Sequence, residues 1–369
     1  MFYLGGVGLA CFLTLLLLTK SKKTGADKIL ACWLLVMTVH LLFFYFRKME
    51  LYPQLLGIDM PLPLLHGPFL YLYTLVLTQR VRSLGVSLLH FTPSLAVFLY
   101  LIPFLILPVE QKVFVYDNKG VGYETFNQIR TIAIIISGVL YVILSSLVLR
   151  KHRISIADQF SNTEKINLQW LQYLIYWIAV IWILVIMSND YWIFGATVLF
   201  ILFIGFFGVR QVGIFHSTQV LPDKEVANIS TDELETQSVE KRKYQKSGLS
   251  QEASTLLHRQ LGHVMTEEKL YCESELSLAD LSERLDTQPN YLSQVINERE
   301  GKNFYDYINT LRIEEFKRVA ASPESRKYTL LALAEQCGFN SKSSFNRYFK
   351  KVTGQSPSEF MLAFSDSEK

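Results

Sequence analysis

The order of apolar and polar positions divides this chain into two unlike parts. Over residues 1 to about 210, apolar runs recur at roughly 2–19, 29–46, 62–79, 84–108, 127–149, 168–187 and 191–209. Each is near the ~20 residues that a helix needs to cross a bilayer. Pro63, Gly67 and Pro68 interrupt the start of the third run, and Pro93 and Pro103 lie within the fourth. Spans tolerate such prolines when neighbouring helices re-satisfy the freed backbone groups, so the predicted count is seven. From Gln211 to about Gly248 the runs stop, and Pro222, Asn228, Ser230, Thr231, Asp232 and Glu233 mark a flexible tether. Leu249, Ala253, Leu256, Leu257, Leu261 and Val264 then form a stripe at three-to-four spacing, which predicts a helix to about Thr266. Such a stripe either docks on the domain that follows or pairs with a second copy as a homodimer.

From Leu276 onward the pattern predicts short helices in pairs. Ser277 with Asp280 begins one as a capping box, with Leu278, Leu281 and Leu285 on its buried side. Asp286 takes the turn, and Pro289 suits the first turn of the next helix. There Tyr291, Leu292, Val295 and Ile296 are expected to face a core, leaving Asn290, Ser293, Gln294 and Asn297 outward. Asn and Gln side chains can pair with adenine edges, although a merely solvated face has the same pattern. Asn303 caps a longer helix from Phe304 to about Ala321. At ~27 Å it is long enough to hold two reading helices about one duplex turn apart. Thr329 caps a second short helix, Gly338 takes a turn that needs positive φ, and Ser341 caps the last reading helix. Phe345 and Phe349 share one face of it, while Lys342, Ser343, Ser344, Arg347, Lys350 and Lys351 cover the rest.

Composition sharpens this division. Half of the 369 residues are hydrophobic, and the mean hydropathy is +0.23, high for a soluble protein. A net charge of +3 carries no information about nucleic acid, but its distribution does. Segments after the first, third and fifth runs hold Lys20, Lys22, Lys23, Lys28, Arg80, Arg82, Arg150, Lys151, Arg153 and Lys165. Those after the second, fourth and sixth hold only Arg47, Lys48, Lys112, Lys119 and Arg130. The positive-inside rule therefore predicts an outside N-terminus and a cytoplasmic C-terminal part, which requires an odd number of spans. No basic residue precedes the first run, as expected of an uncleaved anchor. His40, His66, His90 and Gln172 lie within runs and could line a ligand pocket or a proton path; a place near a span end or bonding across helices is the plainer expectation. Cys11, Cys32, Cys272 and Cys337 have neither pairing nor metal-ligand spacing, which predicts free thiols.

In the C-terminal part, acidic residues outnumber basic ones by more than two to one between Glu267 and Glu315. Between Lys317 and Lys351 eight basic residues face only Glu324 and Glu335. Phosphate contacts supply most nonspecific affinity, so the second unit is expected to anchor on DNA and the first to discriminate. Replacing Lys350 together with Lys351 is accordingly expected to weaken binding to all DNA.

AEQCGFNSKSSFNRYFKKVTGQSPSEF (Ala334–Phe360), behind an earlier unit of the same kind, resembles the DNA-binding domain of the AraC/XylS family over about residues 265–364. Gly354, Ser356 and Pro357 sit at the family's spacing, whereas Asp286 replaces a usual Gly and Gln288 a usual Ser or Thr cap. The resemblance implies that the domain's third and sixth helices enter successive major grooves. Asn290, Ser293, Gln294 and Asn297 would then read from the first, and Lys342, Ser343, Ser344 and Arg347 from the second. HGPFLYLYTLVLT (His66–Thr78) and KYQKSGL (Lys243–Leu249) resemble segments of membrane-bound bacterial regulators, found chiefly in Bacteroidetes, that place seven spans before this domain.

The expected architecture is all-α: a polytopic membrane sensor over 1–210, a linker over 211–248, a coupling or dimerisation helix over 249–266 and an AraC-type domain over 267–369. The expected protein is a multi-pass regulator of the bacterial inner membrane whose partners are promoter double-stranded DNA, the bilayer and an unidentified ligand or protein signal. Control is expected to run through the linker and the 249–266 helix. No cofactor and no enzymatic role are expected. The alternative, a transporter or membrane enzyme with a regulatory cytoplasmic tail, lacks a nucleophile motif, a phosphate loop or a repeat of the spans. A variant of the leading reading releases the DNA-binding part by proteolysis.

Overall fold

A computed structural model describes residues 2–80, 84–187, 189–208 and 249–367. Among them the regular structure is helical, with one isolated antiparallel bridge between Phe160 and Ser277. The tether expected over 211–248, and Arg82, lie outside the described residues. The rest falls into two compact units. One runs to His152 and resumes at Leu168; the other joins Arg153–Asn167 to the chain from Leu249 onward. Arg153–Asn167, which lies in sequence within the apolar half, thus packs with the second unit.

The first unit contains α1 (Phe2–Thr19), α2 (Gly25–Lys48), α3 (Pro63–Leu77), α4 (Leu84–Leu88), α5 (Thr92–Leu105), α6 (Val109–Asp117), most of α7 (Glu124–Ala157), α8 (Gln169–Ile186) and α9 (Asp190–Gly208). Six of its helical stretches are long and apolar enough to cross a membrane: α1, α2, Gly85–Leu105, α7, α8 and α9. The third expected span differs. Pro63 opens α3, residues 56–62 are mostly in turns, and only 15 helical residues remain. That is ~22 Å, against a hydrocarbon core of ~30 Å.

Close approach between these helices depends on small residues. A Cβ on Gly138 of α7 would lie 2.2 Å from the Trp182 ring of α8. The core centres on Trp33, Leu34, Leu41, Leu171 and Phe200, while Phe12, Leu35, Ile132 and Ile183 point outward, as apolar solvent would allow. The polar residues within the runs bond to neighbours. The Trp33 indole donates to His66 Nδ1 (3.2 Å), so His66 carries its proton on Nε2 and donates to His40 Nδ1 (3.0 Å). His90 Nδ1 lies 3.0 Å from the Tyr141 hydroxyl, and Gln172 donates to Tyr176.

In the second unit, α10 (Gln251–Glu267) leads to α11 (Leu278–Arg284), α12 (Pro289–Glu300), α13 (Phe304–Ala320), α14 (Leu330–Gln336), α15 (Lys342–Thr353) and α16 (Pro357–Ser367). The expected caps are in place at Ser277, Asn303, Thr329 and Ser341. Helix α13 joins two small cores. Leu261, Met265, Leu281, Leu292 and Ile308 belong to the first, and Phe316, Ala334, Phe345 and Phe349 to the second. Of the two outcomes open to the stripe of α10, docking is seen: Leu257, Leu261, Val264 and Met265 are buried, while Leu256 stays exposed.

Candidate nucleic-acid interface

The first helix–turn–helix is α11–α12. Asp286 takes the turn at φ +48°, a left-handed conformation that Asp adopts with less strain than most residues. Gln288 stands at the N-cap of α12 without bonding to the helix, so α12 lacks the side-chain cap that a Ser or Thr would supply. Asn290 is exposed, and Ser293 and Asn297 are half-buried. Gln294 corrects the expected outward face. It is only 7% exposed, and its amide donates along the helix to Glu298 Oε1 at 2.9 Å.

The second is α14–α15. Gly338 turns at φ +96°, and a Cβ there would lie 2.8 Å from Arg312 Nε and from the carbonyls of Tyr271 and Cys272, so glycine is required twice over. Ser341 Oγ accepts the Ser344 amide at 3.1 Å. Phe345, Tyr348 and Phe349 are buried, with the first and last packed on Phe316. Lys342, Ser343, Arg347 and Lys350 are exposed, and among the described residues none of the three cations forms a salt bridge. One expected outward residue differs: Ser344 is buried beneath the cap. Lys351 is outward but is held by Asp306 of α13 at 2.6 Å. Asn346, outside the set of expected contact residues, is exposed as well. Its spacing of four from both Lys342 and Lys350 is the signal that would have found it.

Arg312 of α13 is the hub behind both pairs. It is 1% exposed, and burial lowers its pKa to about 10. Its guanidinium donates to the carbonyls of Tyr271 (2.6 Å), Glu273 (2.7 Å) and Ser161 (3.4 Å), to Asn309 Oδ1 (3.2 Å) and to Ser161 Oγ (3.1 Å). Ser161 belongs to the segment between α7 and α8. That segment also reaches α15: the Glu164 carboxylate accepts from Ser341 Oγ at 2.6 Å and from Ser343 Oγ at 3.2 Å.

Residues 281–363 match the family model of a helix-turn-helix domain. The C-terminal unit contains a helix-turn-helix domain. An uncharacterized HTH-type transcriptional regulator of Staphylococcus aureus strain COL is 35% identical over 92 residues, 25% of this chain and 12% of that protein. The uncharacterized HTH-type transcriptional regulator YobQ of Bacillus subtilis strain 168 is 38% identical over 82 residues, 22% of this chain and 33% of that protein. The chain thus spans an eighth to a third of the length of these relatives. No solved structure matches it.

Proposed function

We propose that this chain is a membrane-anchored, sequence-specific DNA-binding transcriptional regulator of the AraC type. The observation that carries this reading is the tandem arrangement on one chain. Two helix–turn–helix pairs on α13, the second presenting Lys342, Arg347 and Lys350 without salt-bridge partners among the described residues, follow six helices of membrane-spanning length. α12, through Asn290, Ser293 and Asn297, reads bases, and α15 combines base contact with phosphate anchoring. The charge asymmetry of the intervening segments favours an outside N-terminus and a cytoplasmic DNA-binding unit, a topology that needs α3, shorter as a helix than the hydrocarbon core, to cross as the seventh segment. The apolar unit receives the signal, and the DNA-binding unit answers it at the membrane surface.

Crosslinking DNA to the full-length protein in intact membranes, followed by sequencing of the recovered fragments, tests this reading. Enrichment of discrete promoter regions is expected. Recovery of DNA without site preference, or of none, would rule it out.

A further inference from the structure

The segment Arg153–Asn167 follows the apolar α7 and precedes the apolar α8 in sequence, yet it folds with the DNA-binding unit. Its hold there is specific. The Ser161 amide donates to the Leu276 carbonyl (3.2 Å), and the Leu278 amide donates to Gln159 (2.8 Å). Ser161, only 1% exposed, also donates through Oγ to Leu276 (2.6 Å) and receives Asn309 Nδ2 on its carbonyl (3.0 Å). Beyond this anchor, Asn162 Oδ1 accepts the Glu164 amide, shaping the turn that delivers the Glu164 carboxylate to Ser341 and Ser343. These hydroxyls open α15, where the helix dipole and free amides favour an anion.

We propose that Arg153–Asn167 is a built-in competitor for DNA, with Glu164 occupying the start of the second reading helix where a backbone phosphate would otherwise sit. Ser343 has one hydroxyl proton and cannot donate it to Glu164 and to a phosphate at once, and a carboxylate beside the duplex repels it. Because α7 and α8 bracket the segment, a change in either helix pulls on it, giving a signal a direct route to α15 that bypasses the linker. This rests on the reading of α15 as a DNA-contacting helix.

The test compares full-length wild type with Glu164→Gln in neutral-lipid nanodiscs, titrated with a random-sequence duplex. The variant should bind roughly threefold to tenfold tighter. Saturating wild type with the duplex should also speed hydrogen exchange across residues 158–167. Equal or weaker binding by Glu164→Gln, or unchanged exchange, overturns the competition. Wild type that binds no duplex in any salt would instead defeat the regulator reading itself.

A second, independent observation lies in the apolar unit. The five basic residues that the charge rule leaves outside are Arg47, Lys48, Lys112, Lys119 and Arg130, and three of these have internal roles. Lys48 lies over the Tyr3 and Tyr191 rings, Lys112 donates to the Gln54 carbonyl, and Arg47 bridges Asp59 and Asp190. Lys119 and Arg130 have no side-chain hydrogen bond or salt bridge among the described residues, and Arg130 Nε is buried. Both line one cavity of about 230 Å³ with Arg47, Asp59, Tyr123 and Asn127. Three cations face one carboxylate there, and aromatic and aliphatic side chains complete the wall.

We infer that this cavity binds an anion, a carboxylate or phosphate on a small apolar body. The probe is phenylacetate, set against uncharged phenylacetamide, on the full-length protein in phosphatidylcholine nanodiscs. Phenylacetate should raise the unfolding midpoint saturably, phenylacetamide should not, and Arg130→Gln should lose the response while raising the unliganded midpoint, because it removes a buried guanidinium whose Nε has no partner among the described residues. A rise caused by phosphatidylglycerol alone would identify the anion as a lipid headgroup. No response to either anion, or a lower unliganded midpoint in Arg130→Gln, overturns the site.

Discussion

Arg312 illustrates how much of a residue's role is fixed by partners that sequence spacing does not reveal. As a sequence position it is one of few cations in an acidic stretch, with nothing to separate it from a surface charge. In the fold its five donors bind three carbonyls, a hydroxyl and an amide oxygen, and Gly338 must stay glycine because the guanidinium lies against it. The glycine was legible, since only a turn explains it there; the arginine that adds the second constraint was not. Glu315, one turn from Arg312, yields a pH prediction. Its carboxylate bonds to Arg318 first and Lys269 second, which holds its pKa at about 2 against burial. A depressed folded pKa contributes stability above the unfolded value of 4.5, and that contribution fades as pH falls toward about 2. Glu315→Gln should therefore lower the melting midpoint of the C-terminal unit near neutral pH and leave a flatter decline between those two values. Melting curves of the two proteins that ran parallel through this acid range would show that the pair does not contribute.

At the scale of elements, caps and turns were readable because each depends on a residue and its near neighbours. Ser277, Asn303, Thr329 and Ser341 cap where their spacing says, and Pro289 opens α12. What failed were outward faces. Gln294 and Ser344 lie at polar positions but are buried, the first bonded along its helix to Glu298 and the second beneath its own cap. Lys350 and Lys351 were equivalent as letters and are not equivalent in space. Lys351 ties α15 to Asp306 of α13, whereas Lys350 forms no salt bridge among the described residues. Lys350→Ala should weaken binding to random duplex and flatten the log–log salt dependence by about one counterion. Lys351→Ala should change that slope less, and remove a surface pair contributing about 0.2–1 kcal/mol of stability. Salt titrations of the two single variants decide between them, and identical slopes would refute the distinction.

For the whole molecule, the sequence separates an apolar half from a helix–turn–helix half cleanly, because hydropathy and motif spacing are local properties. It gives no hint that Arg153–Asn167 belongs to the second half. The bonds from Ser341 and Ser343 to Glu164 span 177 and 179 residues, and no periodicity connects positions that far apart. Glu164 bonds directly to the start of α15, whereas α10 packs on the first core. The discontinuity has a measurable consequence. Ser161→Ala removes one hydroxyl that both donates to Leu276 and accepts from Arg312, a loss of about 1–2 kcal/mol for a buried group. The Leu278 amide, which bonds to Gln159, should then exchange roughly tenfold faster in the full-length protein, as should amides at the start of α13. Amides of α8 and α9 should not change. If Leu278 kept its wild-type exchange rate, the segment between α7 and α8 would not be a structural part of the DNA-binding unit, and Glu164 would have no fixed position from which to compete.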